Sequence, residues 1–372
     1  MIYVIGSGII GLAIGYKLIK NGYPVEIFCA SRQGESSQAA VGMLAPLIEF
    51  QPYKEKLLKL MMKSNQKWQN FSSEVFKDSG IDVEYKKNSS LLVGNNEDDL
   101  RQMEFKLKKL KIFNAEFSYL TRNQTLDLEP NLSRFVNGSF LIKNQDQINP
   151  ISLKSSLKKA FLNLGGKINE NQIIKNIEIE KKIINIQSIK KKFSCTKLIL
   201  ATGAWTKSIL NKSLNINLPI RPVKGVSVEL NEKKNKRKYH HNLWFKKIYL
   251  APRINGNLSV GATEEDIGFE TSVTLDDMFF LIKNLWEAVP LGKDYNLINF
   301  RAGLRPTTFD GNPIIGILEK VSKNIICAVG HYRNGILLAP ETADLVYNLI
   351  KKKKLNINFY LLIDFKRLNL RL

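Results

Sequence analysis

The stretch that decides the fold is IYVIGSGIIGLAIGYKLIKNGYPVEIF, Ile2 to Phe28. Ile2 to Ile5 reads as a strand, Ile9 to Lys20 as a helix stopped at Asn21-Gly22, and Val25 to Phe28 as a second strand. Strand, tight turn, helix and strand make a βαβ unit. The turn carries glycines at Gly6, Gly8 and Gly11. Gly6 permits the sharp turn, Gly8 lets the main chain approach a pyrophosphate, and Gly11 lets helix and strand pack closely. The helix N-terminus then faces the phosphates, with Ile9 and Ile10 in its first turn. In this context the spacing predicts dinucleotide binding.

An acidic residue is expected roughly 20 positions after the turn, at the end of the second strand, to hold a ribose hydroxyl. Here that position is Cys29, and Glu26 lies inside the strand. Arg32 leaves open a 2′-phosphate and hence NADP. SSQAAVGMLAP, Ser36 to Pro46, offers hydroxyls and small side chains where a second phosphate contact would fall.

Further along, Lys54 to Phe76 has helical spacing at Leu57, Leu60, Met61, Trp68 and Phe71. Ile151 to Leu164 is an amphipathic helix closed by Gly165-Gly166, and strands follow as far as KLILATGAW, Lys197 to Trp205. Residues 216–263 read as strands interrupted by a basic turn, Lys233 to Lys238. Leu275 to Val289 predicts a helix with Phe279, Ile282, Leu285 and Trp286 on one apolar face. A last helix, Gly335 to Ile350, ends in Lys351 to Lys354, four cations that complement the helix dipole.

The chain has 372 residues, enough for two cores, and a formal net charge of +22. Such a charge invites a nucleic-acid reading. Only 12 of the cations are arginine, against 44 lysines, and the lysine surplus travels with Asn and Ile along the whole chain. That pattern points to biased codon supply, because specific readers of phosphate and bases lean on arginine. No nucleic-acid partner is therefore expected. Cys29, Cys195 and Cys327 are scattered and odd in number, which excludes a disulfide framework and zinc-finger spacing and suits a reducing cytoplasm. His240-His241 lies beside the basic turn, is expected to be exposed, and has no metal partner. No charge-free apolar run long enough to span a membrane occurs, and the opening stretch has neither the basic start nor the cleavage site of a signal peptide.

Four blocks in order resemble the FAD-dependent D-amino-acid oxidase superfamily, and within it the glycine oxidases of thiamine (thiazole) biosynthesis. They are SSQAAVGMLAP; ATGAW, Ala201 to Trp205; YLAPR…SVGATEEDIGF, Tyr249 to Phe269; and AGLRPTTFDGNPIIG, Ala302 to Gly316, followed by GHYRNGILLAP, Gly330 to Pro340. With the opening turn they run over nearly the whole chain. The resemblance implies an α/β protein: a three-layer Rossmann-type FAD-binding domain from 1–85, 150–215 and 301–372, and an α+β substrate domain from 86–149 and 216–300 on a mostly antiparallel sheet. It places cofactor contacts at Gly6, Gly8, Ile9, Ile10, Gly11, Ser36, Ser37, Gly42, Met43, Leu44, Ile174, Ala201, Thr202, Gly203, Trp205, Arg305, Asn334, Gly335, Ile336 and Leu337.

Arg305 and Arg333, set among apolar and small residues, are costly to bury without an anion. A bidentate carboxylate is the natural partner, and a structural ion pair is the alternative for each. Tyr249, at a strand end, can donate its hydroxyl to the same carboxylate or be a core tyrosine. Arg305, Tyr249 and Arg333 are thus the expected catalytic set, with His331 structural. Asn334-Gly335 is read as a helix start, whose N–H groups would face the flavin or serve only as a cap. No cysteine occurs between Phe300 and Ile326, where related sarcosine oxidases tether FAD, so the resemblance implies FAD held without a covalent bond. EFQPYKEK, Glu49 to Lys56, resembles the family's lid.

The implied reaction is oxidation of glycine or another small amino acid with oxygen as acceptor, by an enzyme that can form a homo-oligomer. Three competing readings stay open: another amino-acid oxidase or dehydrogenase of the superfamily, an FAD enzyme acting on modified tRNA, and a non-catalytic flavin-binding subunit.

Overall fold

A computed structural model describes residues 1–189, 191–231 and 239–352. The expected βαβ unit forms with strands Ile2–Ile5 and Val25–Phe28 and helix Ile9–Lys20. Strand Ile2–Ile5 runs parallel to Val25–Phe28 on one side and to Lys197–Leu200 on the other. Lys167–Asn169 extends the sheet beyond Val25–Phe28. Ile325–Val329 extends it beyond Lys197–Leu200, and Ile314–Ile317 closes that edge antiparallel. The central strands are continuous apolar runs because helices cover one face and other apolar elements the second. Helices Ile9–Lys20, Pro150–Asn163 and Ala339–Ile350 supply the first cover. Asn149 caps the second of these by accepting from the N–H groups of Ile151 and Ser152, with Pro150 in its first turn.

The run read as one helix from Lys54 to Phe76 is two, Glu55–Asn65 and Trp68–Ser79. The break lets both reach one target: Ser64 Oγ and Trp68 Nε1 each donate to the carbonyl of Leu337, at 2.6 and 3.0 Å.

The second sheet has eight strands in the order Asn296–Thr308, Ile220–Asn231, Asn257–Gly261, Tyr249–Pro252, Asn242–Trp244, Ser90–Gly94, Gly138–Ile142 and Phe117–Thr121. Every neighbouring pair is antiparallel except Asn242–Trp244 with Ser90–Gly94. Strand Asn296–Thr308 lies wholly in this sheet, so Arg305 is carried by the second sheet and not by the dinucleotide-binding one.

Helix Leu275–Ala288 forms, but of its expected apolar face only Leu285 is buried. Phe279, Ile282 and Trp286 stay 64%, 55% and 56% exposed, while Asp277, Leu281, Leu285 and Ala288 turn inward. The cause is Lys224, fully buried on the adjacent sheet, whose Nζ lies 2.7 Å from Asp277 Oδ2 and 3.1 Å from Glu265 Oε2. Leaving a buried ammonium unpaired costs more than wetting three apolar side chains, so the helix rolls to deliver its carboxylate. The basic turn at Lys233 to Lys238 and the last two lysines of Lys351 to Lys354 lie outside the described residues.

Candidate active site

The glycine turn has the geometry its spacing requires. Gly6 has φ +113°, and a Cβ there would come within 2.3 Å of the Ala201 carbonyl oxygen. A Cβ on Gly11 would sit 1.9 Å from the Gly6 carbonyl oxygen, so Gly11 acts by close packing. Gly8 faces the short helix Ser36–Ala39, whose Ser37 Oγ accepts from the Ile9 N–H at 3.1 Å. Gly8 caps the helix without a side-chain bond and so leaves space where a phosphate would approach.

One cleft takes in this turn and most of the residues expected from the sequence. Gly6, Gly8, Ile9, Ile10, Ser36, Ser37, Gly42, Met43, Ile174, Ala201, Thr202, Gly203 and Trp205 line it, as do Arg305, Tyr249, Arg333 and residues 334–337. Gly11 and Leu44 do not. Gly11 is spent on helix–strand contact, and Leu44 is fully buried in the core beneath the cleft. Asn334-Gly335 does not begin the last helix. Tyr332–Asn334 is a single 3-10 turn, turns continue to Leu338, and the helix is Ala339–Ile350. Asn334 to Leu337 therefore reach the cleft as turn backbone, held from behind by Ser64 and Trp68.

Where an acid was expected, the Cys29 thiol accepts from Ser7 Oγ at 2.8 Å and is buried. Glu26 is turned aside to Asn169 Nδ2, 2.8 Å away. The cleft here is walled instead by Arg32, Trp205, Gln172 and Ile174, with the Arg32 guanidinium 5.5 Å from the Trp205 ring centroid.

Around Arg305 two sheet strands and a loop converge. Its Nη1 donates to the carbonyls of Lys224 and Thr263 at 3.2 and 3.0 Å, and its guanidinium lies over Gly225. Among the described residues no carboxylate pairs with it, so its remaining donors are free for an anion in the cleft. Tyr249 stacks on Trp244 at 4.8 Å between centroids and stands over Gly261, where a Cβ would meet the tyrosine ring at 2.9 Å.

Arg333 differs. Its Nε lies 3.4 Å from Glu49 Oε2 and its Nη1 3.5 Å from Glu264 Oε2, and the neighbouring carboxylates, Glu49 first, push its pKa up. The ion-pair geometry is the one present in this structure for this arginine. His331 lines the cleft but is buried, with Nε2 3.1 Å from Thr342 Oγ1. Burial holds its pKa down at about 3, so the ring is neutral. Of the histidine pair, His240 is exposed as expected but His241 is half-buried: its Nδ1 lies 2.8 Å from Glu129 Oε1, a fully buried carboxylate that also accepts from the main-chain N–H groups of both histidines. No metal-binding group of His, Cys, Asp and Glu occurs among the described residues.

Sequence reasoning missed Gly225, Trp244 and Gly303, and gave Glu49 only a place in a lid. The signal for Gly225 lay in PVKGVSV, where a glycine interrupts a strand and marks close approach of another group. Nothing in the sequence pairs Glu49 with Arg333.

A glycine turn on a mostly parallel sheet, in one cleft with a guanidinium that an antiparallel sheet carries, defines a two-sheet dinucleotide-binding protein. The chain belongs to the DAO family of FAD dependent oxidoreductases, whose model matches residues 1–349. It is 29% identical to the glycine oxidase of Bacillus subtilis over 95% of this chain and 93% of that one. It is 30% identical to a bifunctional protein ThiO/ThiG of a Nostoc species, over 95% of this chain but 53% of that protein, so it spans about half of that relative. The crystal structure of glycine oxidase from Geobacillus kaustophilus superposes with a TM-score of 0.90 at 26% identity, covering 95% of both chains. The protein is an FAD-dependent amino-acid oxidoreductase. The cleft fits FAD: the main chain of the glycine turn is bare toward it, and small residues keep it open from Ala30 to Gly335. No helix among the described residues is long and apolar enough to cross a membrane.

Proposed function

We propose that the protein oxidises glycine, or another small amino acid, at its C–N bond to an imine, with oxygen as the final acceptor and hydrogen peroxide as product. The observation that carries this reading is Arg305, a guanidinium with no carboxylate of its own, fixed by two main-chain carbonyls in the same cleft as the glycine turn. In this reading Arg305 binds the substrate carboxylate, and Tyr249 donates its hydroxyl to the same group. FAD, when bound, supplies the two-electron oxidation and passes the electrons to oxygen. The protein's own contribution is to hold the substrate's α-carbon in place and to keep water away from it, which Trp244, Tyr249 and Met43 do as apolar walls. Neutral His331 adds no charge beside the reacting amine.

The proposed cofactor contacts are the cleft-lining residues above, and the sheet memberships support two interleaved domains but move the last boundary from 301 to beyond Thr308, because strand Asn296–Thr308 belongs to the second sheet. In this reading FAD is held non-covalently; the absence of all three cysteines from the cleft-lining residues supports it. The names of the glycine oxidase and ThiO/ThiG relatives support glycine as substrate and a role in the thiazole branch of thiamine biosynthesis. Three reduced, buried cysteines agree with a cytoplasmic place for it. The test is anaerobic addition of glycine to the purified yellow protein. Bleaching of the flavin, with peroxide on readmission of air, is expected; a flavoprotein that glycine leaves unbleached removes glycine, and a protein that refuses FAD removes the whole reading.

A further inference from the structure

The two arginines of the site are not equivalent, and the difference lies in one loop residue. Arg305 has only carbonyl partners, whereas Arg333 is held between Glu49 and Glu264. Glu264 is committed elsewhere too, because Tyr332 Oη donates to it. Glu49 is the more buried of the two carboxylates, 19% exposed against 49%. The chain just before it is fixed at two points: the Leu47 N–H donates to Gln145 Oε1 at 3.2 Å, and Lys106 Nζ donates to the Ile48 carbonyl. Glu49 and Arg333 together form part of the wall between the flavin cleft and a second chamber on the far side of Tyr249. A third of the Arg333 side chain stays accessible.

We propose that Glu49 is a specificity-determining residue: by occupying Arg333 it leaves Arg305, of these two, as the guanidinium open to a ligand, so the site beside Tyr249 takes molecules with one carboxylate and rejects those with two. The inference deepens the amino-acid oxidase reading and rests on it for the name of the ligand class. A second carboxylate placed toward Arg333 would have to displace Glu49 or lie beside it, and carboxylates that share one site repel each other. Removing the Glu49 charge frees one cation for a second anionic group.

The test uses the FAD-loaded protein and two unreactive ether acids, methoxyacetate with one carboxylate and diglycolate with two. Their dissociation constants are read from the change each causes in the flavin absorption spectrum, at one pH and ionic strength. The wild type is expected to bind methoxyacetate at least tenfold tighter than diglycolate. Glu49→Gln is expected to move that ratio at least tenfold toward diglycolate, Glu49→Asp to leave it near the wild-type value, and adding Arg333→Met to Glu49→Gln to abolish the gain. A ratio that moves less than twofold in Glu49→Gln overturns the proposal, as does a gain that survives loss of Arg333, or a holoprotein whose spectrum neither acid perturbs. If Glu49→Gln fails to retain flavin, Glu264→Gln is measured instead and must shift the ratio in the same direction. Peroxide formation by the wild type with glycine separates the two claims. Absence of turnover with the binding ratios as expected refutes the oxidase reading and leaves the Glu49 assignment standing.

Discussion

Replacing Gly225 with alanine should move one side chain and leave the fold alone. A Cβ built on Gly225 lies 2.2 Å from Arg305 Nη1 and 2.3 Å from its Cζ and Nη2. Those atoms are the far end of a flexible chain, and Gly225 is not among the glycines with positive φ, so the strand tolerates alanine while the guanidinium must leave. The displaced group loses its bonds to the Lys224 and Thr263 carbonyls and its aim at the cleft. A hydrogen bond to a charged group is worth ~1.5–3 kcal/mol, and ~1.4 kcal/mol is tenfold, so kcat/KM for glycine should fall roughly ten- to a hundredfold. Flavin content and the thermal midpoint should stay close to wild type, within about 3 °C. The control is Gly303→Ala on the paired strand. Its Cβ would press on Ala39 Cβ at 2.8 Å and Ser36 Cα at 3.1 Å, part of the cleft wall that cannot swing aside, so this variant should lose flavin or stability. Steady-state peroxide assays and thermal melts read both. A fully flavin-loaded Gly225→Ala enzyme with kcat/KM within twofold of wild type would refute the reasoning.

Lys224→Met should strand Asp277 as a buried carboxylate and cost about 3–5 kcal/mol in denaturant unfolding, with Asp277→Asn added to it recovering at least half. Equal stability of the single variant and wild type would show that the pair is solvated. His331 is neutral when folded, with its pKa held near 3, but takes up a proton when unfolded below about pH 6.5. Stability should therefore fall as pH drops from about 6.5 toward 3, by up to ~1.4 kcal/mol per pH unit. His331→Gln should flatten the thermal midpoint between pH 6 and 4 relative to wild type, and parallel curves would contradict that. Trp286→Lys, which would disrupt a buried face, should change stability by less than about 0.5 kcal/mol, because the ring is more than half exposed. A loss above 2 kcal/mol in a melt would show that the face is covered.

Much of the site was legible because local chemistry demands it. A turn that brings Gly6 against Ala201 and Gly11 against Gly6 accepts no side chain, so glycine spacing reports the geometry directly. Arg305 stood out as a rare arginine among apolar neighbours, and the structure gives it no carboxylate. Arg333 carried the same signal and means something different, because its partners Glu49 and Glu264 lie 284 and 69 residues away in the chain. Asn334-Gly335 reads as a helix start, yet the chain makes a 3-10 turn first and the helix begins at Ala339, with Leu337 accepting from Ser64 and Trp68.

The sequence by itself determined the βαβ unit, its place for a dinucleotide, and the residue types of the proposed carboxylate site, since strand, turn and helix signals act over a few residues. Tertiary structure alone decided which charges are free. It rolled helix Leu275–Ala288 to satisfy Lys224, seated Arg305 over Gly225, and set Glu49 on Arg333. A charge's partner is fixed by distance in space, and that distance exists only once both sheets have closed on the cleft.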